Sequence, residues 1–289
     1  MSLASVFLPF ALAIIMLGLG LGLTLADFRR VLTYPRASVI ALVCQILVLP
    51  AVCLGLVLLF DLPPVLAVGM MLLAASPGGT TANLYSHLFG GDVALNVTLT
   101  AINSILAVFT LPLVTNLSIT FFGAEAGALG LQFDKSLQVF ALVLVPVAIG
   151  MLVRARFTAF ADRMLKPVKI ASAVILALVI VGAVVQELDN IGGYVRDVGL
   201  ITLAFSLISL TVGYWAPRLA RVGREQSIAS CMEIGIHNGT LSITVAMGLL
   251  GNAQMAIPSA TYGVLMFFTA AGAGFLLRRR AVEGVPAGS

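Results

Sequence analysis

Apolar runs separated by short charged joints make up nearly the whole chain. Charge-free stretches cover 1–26, 37–60, 62–91, 93–124, 136–153, 170–186 and 198–217, and between Gln226 and Leu277 the single charge is Glu233. A hydrocarbon core about 30 Å thick is crossed by roughly 20 residues of helix. The pattern therefore predicts helices near 5–26, 37–60, 65–89, 93–122, 136–157, 168–187, 197–217, 226–250 and 254–277. The expectation is an all-α polytopic membrane protein of nine transmembrane helices, with no sizeable water-soluble domain. Membrane strands would alternate apolar and polar positions over roughly ten residues, whereas these runs are apolar on every face. The first run lacks a basic leader and continues into Asp27-Phe28-Arg29-Arg30, so it is expected to be a retained span rather than a cleaved signal.

Composition supports this class. Of 289 residues, 60% are hydrophobic and 10% charged, against roughly 25% charged in a soluble domain, which excludes a soluble enzyme. The net charge of +4 does not point to nucleic acid, because the bases sit in the joints between spans. With nine spans, one face collects Arg29, Arg30, Arg36, Arg154, Arg156, Arg163, Lys166, Lys169, Arg218, Arg221, Arg224 and Arg278–Arg280, and the other only Lys135 and Arg196. The positive-inside rule makes the first face cytoplasmic. The N-terminus is then outside, 278–289 is a cytoplasmic tail, and the location is a cell (inner) membrane. Cys44, Cys53 and Cys231 all fall within spans and read as small apolar filler.

Two spans are interrupted. The third contains Ser76-Pro77-Gly78-Gly79-Thr80-Thr81-Ala82-Asn83 and the eighth Glu233-Ile234-Gly235-Ile236-His237-Asn238-Gly239-Thr240. Proline removes a backbone donor and disfavours helix in the residue before it, and glycine weakens helix further, so local unwinding is expected. The preceding spans and following turns also match. Residues 1–289 thus read as one transporter unit of two repeats, about 5–122 and 136–277, in inverted topology with the fifth span extra. Inverted repeats that each hold a discontinuous helix are a secondary-transporter signature, with the site near the midplane. Half-helix N-termini at about Thr80–Asn83 and His237–Thr240 would face an anion.

Glu233 is the one acid deep in a span, and no intramembrane Lys or Arg pairs with it. Such a residue is a functional hypothesis by default, and its isolation points to an exogenous cation, a metal ion or a proton. The other intramembrane polar residues are Gln45, Asn83, Asn96, Thr100 and Asn103, with Asn96 and Thr100 on one helix face. Amide, hydroxyl and carboxylate oxygens suit a hard cation such as Na⁺, whereas a soft metal would want sulfur or several imidazoles.

At Pro77-Gly78-Gly79-Thr80 with Asn83, at Asp92-Val93-Ala94-Leu95-Asn96, and at Glu233-Ile234-Gly235 with Asn238, the chain resembles the bile acid:sodium symporter family, including its bacterial members and plastid organic-anion carriers. The resemblance implies that the two broken helices cross, that panel and core domains rock against each other, and that two sodium ions bind as coupling ions. The first sodium site would use Asn83, Asn96, Thr100 and Glu233. The second would use Gln45, Glu233, the carbonyls of Ile234 and Ile236, and His237. Substrate would meet the crossing through Thr80, Thr81, Asn238 and Gly239. Ala82, Asn96 and His237 depart from the residues common in bacterial relatives, which often have serine, a short side chain and glutamine there.

The expected function is sodium-coupled import of an organic anion by alternating access. Bile acids, pantoate and 2-oxo acids all suit a dipole-lined site, and the oligomeric state is left open. The alternative is a proton-coupled carrier or cation/proton exchanger on the same scaffold, titrating at His237 and Glu233. An intramembrane hydrolase would need a Ser–His or paired-Asp constellation, for which Ser242 is the nearest serine of note.

Overall fold

The computed structural model describes residues 32–79, 81–123, 133–168 and 191–282, together with isolated positions between 13 and 24 and at 170, 171 and 174. The elements are helical: α1 (Pro35–Leu59), α2 (Pro64–Ala74), α3 (Thr81–Leu88), α4 (Val93–Phe122), α5 (Phe133–Arg156), α6 (Ile191–Leu219), α7 (Arg224–Gly235), α8 (Gly239–Thr244) and α9 (Ile257–Val282). Among the described residues there is no strand, only an isolated antiparallel bridge between Gly78 and His237. By length and composition Pro35–Leu59, Val198–Leu219 and Gln254–Arg278 are each able to cross a membrane, and Val93–Phe122 adds a fourth, bent span. The expected spans at 5–26 and 168–187, and the residues 283–289 of the expected tail, lie largely or wholly outside the described residues.

Among the described residues most of the stretches predicted as spans are helical, with shifted edges. Residues 197–217 lie within the helix Ile191–Leu219, and Arg278–Arg280 are helical within Ile257–Val282. Charge marks where a helix leaves hydrocarbon, while the hydrogen-bond ladder continues into the headgroups. The third and eighth predicted spans are each two helices, α2 with α3 and α7 with α8. A five-residue π segment, Val245–Leu249, continues α8.

Prolines set the irregularities. Pro50 has no N–H to give to Ile46, and the ladder of α1 slips into a π turn over Cys44–Val48, closed by Leu49 N–H on the Cys44 carbonyl. Helix α4 bends by 52° between Ala107 and Phe109, where the Pro112 ring would meet the carbonyl four residues before it.

Helices α6, α7 and α9 pack together, α7 also lies against α3 and α4, and α2 lies against α4. Gly69 permits one close approach, since a Cβ there would overlap the Met255 carbonyl. Asp92 N–H donates to the Glu225 carbonyl at 3.0 Å, Arg224 reaches the Leu277 carbonyl, and Arg154 reaches that of Leu21 at 3.0 Å. The Asp92 charge beside Tyr34 raises its phenol pKa. The joints at 34, 92, 224 and 277 therefore gather at one end, as the alternation of charged loops requires. The three cysteines are free and buried, with Cys53 donating to the Met70 carbonyl and Cys231 to that of Leu210.

Candidate ion and substrate site

Both breaks form where the sequence places them. Helix α2 ends as Ser76 N–H and Ser76 Oγ both turn back to the Leu73 carbonyl, at 3.0 and 2.6 Å, just before Pro77. Helix α8 begins with Asn238 as N-cap, its Oδ1 accepting from Leu241 N–H at 3.1 Å. The unwound strands run antiparallel. Gly79 N–H donates to the Ile236 carbonyl at 2.6 Å and Asn238 N–H to the Pro77 carbonyl at 2.8 Å. Each break thus satisfies the other's backbone, the condition for unwound chain at membrane depth.

Glu233, fully buried in α7, faces this crossing. Its Oε2 accepts from Thr100 Oγ1 at 2.6 Å and its Oε1 from Asn103 Nδ2 at 3.0 Å, and the Gly78 backbone N–H also donates to the carboxylate. Glycine is required at 78 by this approach, because a Cβ there would overlap the carboxylate. Among the described residues no Lys or Arg pairs with Glu233. The salt bridge found among the described residues, Arg154–Asp162, lies elsewhere.

The amides around it share one polarity. Gln45 Nε2 donates to the Ser76 carbonyl at 2.9 Å and Asn96 Nδ2 to the Ala229 carbonyl at 2.7 Å, while Asn103 Nδ2 is spent on Glu233. These acceptors fix the amide orientation. Gln45 Oε1, Asn96 Oδ1 and Asn103 Oδ1 are then left buried with no hydrogen-bond partner among the described residues, as is His237 Nε2. Gln45 and Asn103 line one small crevice walled by Ala75 and Pro77 of the first break.

Of the residues expected at the first sodium site, Thr100 touches Glu233, Asn96 lies one turn earlier and buried, and Asn83 is half-buried in the first turn of α3. At the second, Gln45 sits in the π turn and reaches the first break. The Ile236 carbonyl already accepts one N–H, from Gly79. Asn238 N–H, which would continue the helix onto Ile234, goes to Pro77 instead, so the Ile234 carbonyl loses its helical partner. Among the residues expected to meet substrate, Thr81 opens α3, Asn238 caps α8 and Gly239 is its first residue, while Thr80 lies outside the described residues.

Asn103, an intramembrane polar residue outside both expected sodium sites, also reaches Glu233. Its spacing after Asn96 and Thr100, i, i+4 and i+7, carries the missing signal. Tyr262 contacts His237 with nothing in the sequence to announce it. A hydrolytic Ser–His pair does not form there, since Ser242 Oγ donates to the Leu72 carbonyl at 3.1 Å and His237 Nδ1 meets Tyr262.

Helices that break and pair across the break, beside a buried carboxylate, are the arrangement seen in carriers with discontinuous helices. More particularly, the chain belongs to the Sodium Bile acid symporter family, which matches residues 9–193. It is 28% identical over 280 residues to the probable chloroplastic sodium/metabolite cotransporter BASS2 of Oryza sativa subsp. japonica, covering 96% of this chain and 64% of that protein. It is 30% identical over 257 residues to the probable chloroplastic sodium/metabolite cotransporter BASS1 of Arabidopsis thaliana, covering 88% and 62%. With the uncharacterized sodium-dependent transporter YocS of Bacillus subtilis (strain 168) it shares 28% over 262 residues, covering 90% and 79%. The chain therefore spans somewhat less than two thirds of the plastid relatives' length.

Proposed function

We propose that this chain is a sodium-coupled secondary active symporter that imports an organic anion by alternating access. One observation carries the reading: among the described residues the crossing holds a buried carboxylate with no basic partner, ringed by buried acceptor atoms that lack donors. A cation supplies the two things missing, positive charge for Glu233 and a partner for the spare lone pairs of Gln45, Asn96, Asn103 and His237. An oxygen-rich set with one imidazole suits a hard monovalent ion. The names of the relatives, sodium/metabolite cotransporters and a sodium-dependent transporter, support the same ion.

In this reading two sodium ions are the coupling ions. The first is held by Asn83, Asn96, Thr100 and Glu233, and the second by Gln45, Glu233, Ile234, Ile236 and His237. The anion meets Thr80, Thr81, Asn238 and Gly239 at the starts of α3 and α8, where the helix dipoles favour negative charge. Residues 1–289 act as one transporter of two inverted repeats, about 5–122 and 136–277, in panel and core domains that rock about the crossing. The protein lies in the cell membrane with its N-terminus outside and its basic joints in the cytoplasm.

Uptake of labelled taurocholate, pantoate and pyruvate, each tested in proteoliposomes, checks the reading. An inward sodium gradient is expected to drive accumulation of at least one, and Glu233→Gln is expected to cut that rate at least about tenfold, the weight of roughly 1.4 kcal/mol. Accumulation that persists when choline replaces sodium contradicts sodium coupling. If a pH gradient alone drives it, the proton-coupled reading takes its place.

A further inference from the structure

Tyr262, in α9, is fully buried. Its hydroxyl donates to the Gly235 carbonyl at 2.9 Å and stands 3.1 Å from His237 Nδ1. The break dictates the first of these bonds. In an uninterrupted helix Gly235 would accept from Gly239 N–H, but that group donates to the His237 carbonyl at 3.0 Å. A buried helix-end carbonyl then needs another donor, and Tyr262 provides it.

A phenol has a single proton to give. With that proton on Gly235, the Tyr262 oxygen meets His237 only as an acceptor, so Nδ1 carries the imidazole hydrogen and Nε2 carries the lone pair. His237 is 1% exposed, and its Nε2 has no hydrogen-bond partner among the described residues. The rings are held in place as well: Tyr262 stands edge-on to the imidazole at 5.2 Å between centroids, and Phe205 lies 5.4 Å from it.

We propose that Tyr262 is a positioning residue, a proton-directing link from the Gly235 carbonyl that locks His237 in the Nδ1–H tautomer and so turns an unprotonated Nε2 towards the coupling cation. The inference rests on the sodium reading above for the cation and on the hydrogen bonds alone for the tautomer. Without the hydroxyl, Nε2 takes the hydrogen part of the time, and a protonated nitrogen has no lone pair to offer.

The chain has two histidines, His87 and His237, so nitrogen NMR of histidine-labelled protein in nanodiscs resolves two imidazoles, assigned by His237→Gln. The expected spectrum has His237 Nε2 unprotonated and Nδ1 protonated, with sodium, and not potassium, moving the Nε2 resonance. Tyr262→Phe keeps the ring and removes the link. It is expected to raise the half-saturating sodium concentration about fivefold, the weight of one hydrogen bond, and to affect this constant more than the maximal rate. In a His237→Gln background, where no tautomer exists, the same substitution is expected to change half-saturation less than about twofold. A protonated Nε2 in the unaltered protein, or an equal Tyr262→Phe effect in both backgrounds, overturns the lock. Failure of the protein to bind sodium at all overturns the transport reading instead, and the tautomer seen by NMR still decides the role of Tyr262.

Discussion

Gly78 shows how one residue sets the geometry of the site. Its backbone donates to the Glu233 carboxylate, and the space a Cβ would need is the space the carboxylate fills. Gly78→Ala must push Glu233 off Thr100 and Asn103 or open the crossing. Overpacking of this kind costs about 1–3 kcal/mol, so the variant is expected to melt at lower temperature in detergent and to lose the melting shift that sodium confers on the unaltered protein. Gly55→Ala serves as the comparison, because a Cβ there meets nothing within 4 Å. That variant is expected to match or slightly exceed the parent in stability, since alanine is the better helix former. A Gly78→Ala protein that kept both its melting point and its sodium shift would remove the close approach from the account. Residue chemistry at this site was partly legible in the sequence: a lone intramembrane acid announces itself, and so does the Asn96, Thr100, Asn103 spacing once extended by one turn. Tyr262 was not legible, because a tyrosine in an apolar run looks the same whether it faces lipid or a histidine.

The discontinuous helices were readable as elements because proline and paired glycines act locally. Pro77 ends α2 through its own missing N–H, whatever surrounds it. What the sequence does not express is that the two gaps hydrogen-bond to each other, since Gly79 and Ile236 lie 157 positions apart and meet only once α2 and α7 have both packed against α4. The π turn at Cys44–Val48 is of the same kind: Pro50 signals a fault in the ladder, while the direction of the slip, which brings Gln45 to Ser76, depends on packing. The crossing is also the point at which the element scale makes a prediction. Pro77→Ala restores an N–H and lets α2 extend through Ser76, in competition with the pairing to Asn238. The expected outcome is a maximal sodium-driven uptake rate lowered by about tenfold at equal protein in the membrane, with transport recovering little on raising sodium. Unchanged uptake would mean that the crossing tolerates a longer α2.

Over the whole molecule, the 28 charges of the chain divide into two jobs. Nearly all of them mark the joints between helices, and the structure gathers several of those joints at one end, through Tyr34 with Asp92, Asp92 with Glu225 and Arg224 with Leu277. Helix number is read from charge-free apolar runs and the repeats from the two matched interruptions, and among the described residues the helical class and the two breaks follow that reading. Helix ends do not follow it as closely, because charge reports the membrane surface and not the end of a hydrogen-bond ladder. The remaining charge, Glu233, sits at the crossing with lone pairs around it and, among the described residues, no base. Saturable binding of radiolabelled sodium to the purified protein, followed by scintillation proximity and competed with potassium or choline, tests this arrangement most directly. The account predicts sodium binding that potassium and choline do not displace and that Glu233→Gln reduces at least about tenfold. No saturable binding, or binding of equal strength in the Glu233→Gln protein, would contradict it.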